Sequence, residues 1–350
     1  MSTGIRVVVV DDSALMRQTV SDSLNSIRDV EVVATAATGP EAVQVIAREQ
    51  PDIVSLDIEL PGMNGLNVLK ETMRCNPTRV VLVSSYTTAG AETTIEGLAL
   101  GALDFVPKPS AEEGIDVFRV RLRRTFRAAL AAKPPQLGSV TQQTSDLDTT
   151  PLRPTSLAVV ASSTGGPQAL HDFFSAFQRE PAFPIAVVQH MPPKFTAKMA
   201  QRLDKAGVLT VAEAEDGDRL RRGVALIAPG HAHMEIDGDR IRLTDNAAVG
   251  GLRPRADIAI TTAVLHYGRD VTGLVMTGMG TDGLIGCRDI KRSGGQVLAQ
   301  DGPSSTVDGM PRAVRDAGIA DRIGPPAYLA RVLGATPARP SGVVTASGRP

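Results

Sequence analysis

The sequence predicts an α/β protein made of two doubly wound parallel-sheet domains. Three observations predict it. Short apolar runs alternate, in two separate series, with stretches of helical periodicity. Aromatic residues make up only 3% of the 350-residue chain and Trp is absent, so Val, Ile, Leu and Ala must fill cores of the kind that cover a parallel sheet on both faces. Between the two series lies a segment, 133–155, rich in Pro, Gln, Ser and Thr and without apolar period.

In the first series the apolar runs are IRVVVV (5–10), VEVVAT (30–35), DIVSL (52–56), RVVLVS (79–84) and LDFV (103–106). Helical patterns such as 14–27 and 39–50 fall between them, and 115–130 closes the unit. The first domain is thus expected over 5–128 and a flexible linker over 129–155. The second series starts with SLAVVA (156–161) and continues with PIAVVQ (184–189), VTGLVM (271–276) and QVLAQ (296–300). Helices are expected near 167–178, 194–206, 256–267 and 283–292. The middle stretch, 208–244, reads as short strands and turns, an antiparallel or irregular insertion. This domain is expected over 156–335, with a disordered tail over 336–350.

The totals exclude several classes of function. A net charge of −1 leaves no basic excess for nucleic acid. Two cysteines, Cys75 and Cys287, make no disulfide framework. The N-terminus has no basic segment leading into a long apolar one, and no apolar run approaches the roughly 20 residues of a membrane span, so a cytoplasmic location without membrane insertion is expected.

The chemistry-bearing residues gather at strand ends. In open parallel sheets ligands bind outside the carboxyl edge. Asp11 and Asp12 follow the first run of the first domain, Asp57 the third, Ser84 the fourth and Lys108 the fifth. Clustered carboxylates suit a hard divalent cation, and a carboxylate left free is a nucleophile toward phosphorus. Taken singly, Asp11 and Asp12 read equally well as helix caps, and Lys108 as a solvated lysine.

In the second domain the first run leads into SSTGGP (162–167), a Ser on a glycine-assisted turn into a helix. Such a turn serves a nucleophile whose oxyanion meets backbone N–H groups, an ordinary N-cap, or a phosphate-binding turn. His190 ends the second run in QHMPP, and Asp282 lies in TGMGTDG (277–283) after a later one. Asp282 alone reads as a cap. Ser163, His190 and Asp282 together supply nucleophile, base and orienting carboxylate. His231 and His233 stand in HxH spacing, but no carboxylate or cysteine cluster accompanies them to complete a metal site.

VVDDSALMR, LDIELPGMNG, VSS and DFVPKP closely resemble the receiver domain of two-component response regulators. That resemblance implies phosphorylation of Asp57 by a histidine kinase, with Mg²⁺ held by Asp11, Asp12, Asp57 and the Glu59 backbone carbonyl. It implies Ser84 and Phe105 as switch residues and Lys108 as a phosphate-binding lysine. Asn64 departs from the Asp that many members carry. SSTGGP, QHMPPKFT, EAEDGDRL, IAPGHAHMEI, RPRAD and MTGMGTDG, over about 156–320, resemble the catalytic domain of the chemotaxis protein-glutamate methylesterases, the CheB family. This implies Ser163 as nucleophile, His190 as base and Asp282 as acid, with Thr164, Gly278, Met279 and Gly280 in the oxyanion or substrate region. It also implies methyl-accepting chemoreceptors as substrate, methylesterase and glutaminase activities, and no cofactor for hydrolysis. Ala161-Ser162 replaces the usual Gly-Ala before the nucleophile, and RPRAD, with Arg255, replaces the frequent RPSVD.

Overall fold

The computed structural model describes residues 4–110, 114–134, 150 and 152–338. These form two compact units on either side of 135–149. Most of the expected linker, and the expected disordered tail from 339 onward, lie outside the described residues.

The first unit runs β1 (Ile5–Val10), α1 (Ala14–Asn25), β2 (Val30–Ala36), α2 (Gly39–Glu49), β3 (Ile53–Asp57), α3 (Gly65–Cys75), β4 (Arg79–Ser84), α4 (Thr88–Ala99), β5 (Asp104–Pro107) and α5 (Gly114–Ala131). Its five strands are parallel, in the order β2-β1-β3-β4-β5. β3 is buried along its whole length, which is why it reads as an unbroken apolar run rather than an alternating one. Side-chain caps start the helices: Ser13, Thr38, Asn64 and Thr87 each accept a backbone N–H three residues on. Asn64 thereby does the capping work an Asp would do. α5 continues past the expected boundary at 128, because Phe126 and Ala129 bury the same face as Phe118 and Leu122 against Val81 and Val106.

The second unit runs β6 (Leu157–Ser162), α6 (Gly166–Ser175), β7 (Ile185–Gln189), α7 (Phe195–Asp204), β8 (Thr210–Glu213), β9 (Val224–Ile227), β10 (His233–Asp237), β11 (Arg240–Thr244), α8 (Ala256–Tyr267), β12 (Val271–Val275), α9 (Leu284–Arg292), β13 (Gln296–Gln300), α10 (Met310–Asp316), β14 (Arg322–Gly324) and α11 (Pro326–Ala335). Seven strands form one parallel sheet, β14-β13-β12-β6-β7-β9-β8. The expected insertion over 208–244 is therefore smaller than read. β8 and β9 extend the main sheet, since Ala225, Leu226 and Ile227 are buried like any inner strand. Among the described strands only β10 and β11 form an antiparallel pair, across a two-residue loop in which Gly238 takes φ +61°.

The unit also reaches beyond its expected edges. Thr155 and Thr336, assigned to linker and tail, are both buried. Thr155 donates its N–H to the Pro337 carbonyl at 3.1 Å, and its hydroxyl meets that of Thr272 at 2.7 Å. Scarce aromatics are concentrated behind the sheet: the Phe173 ring lies 5.3 Å from that of Phe174 and 5.1 Å from that of Phe177, both nearly perpendicular. Phe173→Ala is expected to destabilise the second unit by about 3–5 kcal/mol, read as a lowered denaturation midpoint by circular dichroism.

Candidate functional site

In each sheet the polar residues collect at a reversal of the winding. In the first unit the reversal lies between the neighbours β1 and β3. Asp11 follows β1 and Asp57 is the last residue of β3. Both are buried, whereas Asp12 is exposed. Each of the three offers a carboxylate oxygen within 4.8 Å of the others. Lys108 Nζ reaches Asp57 Oδ2 at 2.7 Å and Asp11 Oδ2 at 3.1 Å. The Asp11 oxygen is buried and has no hydrogen bond in acceptable geometry. Such a donor set fits a small hard cation.

Burial pushes the Asp57 carboxyl up to about 6, against the Lys108 hydrogen bond and charge that pull it down. Burial also disfavours the Lys108 ammonium, but Asp57 and Asp11 outweigh it and hold that group above its ordinary range. The Glu59 N–H donates to Asp57 Oδ1 at 3.2 Å. Phe105 is buried in β5. The Ser84 hydroxyl is not directed at Asp57: it accepts from Thr94 Oγ1 at 2.6 Å and lies 3.3 Å from the Gly90 carbonyl, on the α4 side. Ser84 meets Lys108 only through its backbone, accepting the Lys108 N–H at 2.7 Å.

In the second unit the reversal lies between β6 and β12. Ser163 follows β6, His190 follows β7 and Asp282 follows β12, so the three come from adjacent strand ends. The Ser163 N–H donates to the Thr277 carbonyl at 2.9 Å, which stitches the Ser163 turn to the β12 turn. Gly165 adopts φ +75° and starts α6. A Cβ on Gly166 would stand 1.9 Å from Gln189 Oε1. Gln189 is itself buried at the end of β7. Its Nε2 donates to the Ser163 carbonyl at 2.9 Å and the His190 carbonyl at 3.1 Å, while its Oε1 accepts the Ser162 hydroxyl at 2.7 Å. Ser162 is thus a buried support and Ser163 the half-buried, reachable hydroxyl.

His190 Nε2 and Asp282 Oδ2 are 2.7 Å apart. The other ring nitrogen, Nδ1, is buried without a hydrogen bond among the described residues, leaving it as the nitrogen available to take a proton. Asp282 accepts the backbone N–H of Ala256 at 2.7 Å, and those of Asp257 and Gly283 at 3.0 Å each. Burial opposes its ionisation, but the His190 contact and the N–H groups at the start of α8 prevail and hold it at about 2.

Within the expected oxyanion or substrate region, Gly278 lies against Ser163. The Gly278 N–H is already given to the Val307 carbonyl at 2.9 Å, so it is no donor for an oxyanion. Gly278 is there for space: a Cβ would lie 2.7 Å from Ser163 Cβ and 2.4 Å from Met310 Sδ. The Thr164 carbonyl is taken by the Thr277 hydroxyl at 2.9 Å. Met279 is half-exposed, and Gly280 adopts φ +94°. His231 is exposed. His233 is buried with Nε2 3.3 Å from the Ala247 carbonyl, and the Asp11–Asp12–Asp57 group alone has metal-ligand spacing among the described residues.

Sequence reasoning passed over Gln189, Thr277, Gln300 and the contacts of Arg255. Gln300 Oε1 accepts the Thr277 N–H at 2.8 Å, bracing the turn that holds Ser163. A glutamine closing an apolar strand was the available signal, since buried amides need partners.

The CheB methylesterase family model matches residues 158–333, and the response regulator receiver domain model matches 7–117. A protein-glutamate methylesterase/protein-glutamine glutaminase of Pyrococcus abyssi is 41% identical over 332 residues, covering 92% of this chain and 90% of that protein. Its Thermotoga maritima counterpart is 38% identical over 327 residues, covering 92% and 95%. The crystal structure of the Thermotoga maritima CheB methylesterase catalytic domain aligns with a TM-score of 0.50 at 36% identity, covering 51% of this chain and 97% of that one.

Two outcomes are expected from this geometry. Gln189→Leu removes the donor shared by the Ser163 and His190 carbonyls. Labelling of Ser163 by a fluorophosphonate should slow by roughly 10–100-fold with the circular dichroism spectrum unchanged. Because Asp57 is ionised above about 6 and neutral below it, Mg²⁺ affinity should weaken as pH falls through that value. Calorimetric titration of the full chain checks this, with Asp57→Asn as the variant whose pH dependence flattens.

Proposed function

The chain belongs to the CheB methylesterase family, with a response regulator receiver domain ahead of the catalytic one, and from this we propose that it hydrolyses glutamate methyl esters on chemoreceptors under control of phosphorylation. Deamidation of glutamine side chains by the same groups belongs to the proposal, since relatives at about 40% identity carry both activities in their names. The carrying observation is the 2.7 Å His190–Asp282 contact beside the reachable Ser163 hydroxyl, at three adjacent strand ends.

In this reading Ser163 Oγ attacks the ester carbonyl and His190 Nδ1 accepts its proton. Asp282, held ionised by the α8 amides, stabilises the imidazolium through Nε2. Backbone N–H groups around Met279 would face the developing oxyanion. His190 returns the proton to the leaving methoxide, methanol departs, and water then hydrolyses the acyl-enzyme with His190 as base. With a glutamine side chain the leaving group is ammonia.

Control lies in the first unit. A histidine kinase is the proposed phosphodonor and Asp57 the acceptor. Asp11, Asp12, Asp57 and the Glu59 carbonyl would hold a Mg²⁺ whose charge offsets that of the carboxylates and the phosphoryl oxygens. Lys108 pairs with the phosphoryl group after transfer.

Methanol release from membranes bearing a methylated chemoreceptor tests both halves. Wild type should release methanol faster with acetyl phosphate and Mg²⁺. Asp57→Asn should keep the basal rate and lose the rise. Asp282→Asn should fall by about 10⁴-fold, and Ser163→Ala should release none. Release by Ser163→Ala would refute the proposed nucleophile, and a wild type indifferent to phosphodonor would refute the proposed control.

A further inference from the structure

α8 begins without a cap of its own. Its N-cap residue is Arg255, which makes no side-chain cap hydrogen bond where Ser, Thr, Asp or Asn would ordinarily do so. The cap comes from Asp282, whose oxygens take the Ala256 and Asp257 N–H groups. The freed Arg255 side chain folds back over the same carboxylate. Its Nε lies 3.4 Å from Asp282 Oδ1, its Nη2 donates to Asp257 Oδ2 at 2.8 Å, and its Nη1 donates to the Val249 carbonyl at 3.0 Å. The guanidinium is mostly buried, and the Asp257 and Asp282 side chains nearly wholly so. Asp257 Oδ1 meanwhile accepts the Gly286 N–H at 3.0 Å, tying α8 to α9.

We propose that Arg255 is a positioning residue that sets the working pH of the triad, by cancelling one of the two buried carboxylate charges that stand behind His190. The proposal rests on the Ser163–His190–Asp282 reading. The charged and titratable groups around Asp282 are His190 from the end of β7, Arg255 and Asp257 from the start of α8, and Cys287 from α9. Burial pushes the Cys287 thiol far up, so it stays neutral and adds no charge. The local sum behind the imidazole is therefore two negative charges and one positive.

Each change of that sum has a sign. Loss of the Arg255 charge leaves two carboxylates, which favour the imidazolium, so the base becomes neutral only at higher pH. Loss of the Asp257 charge leaves a balanced pair, which favours the neutral ring. Loss of both restores the original sum. A unit charge at this remove, in a partly screened site, moves the equilibrium by roughly one pH unit.

The experiment is the pH profile of kcat/KM for methanol release by the full chain, with acetyl phosphate and Mg²⁺, on methylated chemoreceptor membranes. The acid limb should rise by about one unit in Arg255→Gln, fall by a similar amount in Asp257→Asn, and return toward wild type in the double variant. Arg255→Lys, which keeps the charge, should leave the limb near wild type. A limb unmoved in Asp257→Asn, or a double variant displaced further than Arg255→Gln, would overturn the proposal. So would a rate lowered equally at every pH, the mark of a purely structural role. Asp257→Asn carries the test even if Arg255→Gln fails to fold. Ser163→Ala, run beside them, separates this failure from that of the triad: methanol release in that variant overturns the triad itself and the Arg255 proposal with it.

Discussion

The clasp on Asp282 is the interaction from which the second unit takes its working shape. A buried carboxylate is costly unless its charge and lone pairs are matched. Here three backbone N–H groups, an imidazole and a guanidinium match it. In return the carboxylate closes the open end of α8, fixes the glycine-rich turn after β12 against that helix and aims the His190 ring. Helix, turn and imidazole thus share one anchor, and the geometry of the site depends on the docked position of α8.

The first unit faces the same problem and resolves it the other way. Asp57 is as deeply buried as Asp282, yet it lies beside a second acid, Asp11, with one ammonium between them. Burial prevails there and its carboxyl titrates near 6, while that of Asp282 is held near 2. The contrast fits the role proposed for each. An orienting carboxylate has to stay ionised whatever the substrate does. A phosphate acceptor gains from being poorly neutralised until cation and phosphoryl group arrive.

How much could be read beforehand follows from where the information resides. β1 was legible to the residue because Val7 to Val10 are buried on both faces, which leaves an unbroken apolar run. The carboxyl-edge placement of Asp57, Ser163, His190 and Asp282 followed from their position after apolar runs read as parallel strands. β8 and β9 were misjudged because each is four residues long and β8 is only partly covered, so neither writes a clear period. The role of Gln189, the clasp on Asp282 and the turn of the Ser84 hydroxyl toward Thr94 were illegible for another reason. Each depends on which distant element packs alongside, as with Ala256 and Asp282, 26 residues apart.

Gln189 has a mechanical consequence. One amide nitrogen holds the carbonyls of both Ser163 and His190, so the proposed nucleophile and base share a common strut. The Asp282 carboxylate is moored instead to the start of α8. Ser163 is also bonded through its N–H to the Thr277 carbonyl in the turn after β12, so strut and turn together fix the proposed nucleophile between its base and its acid.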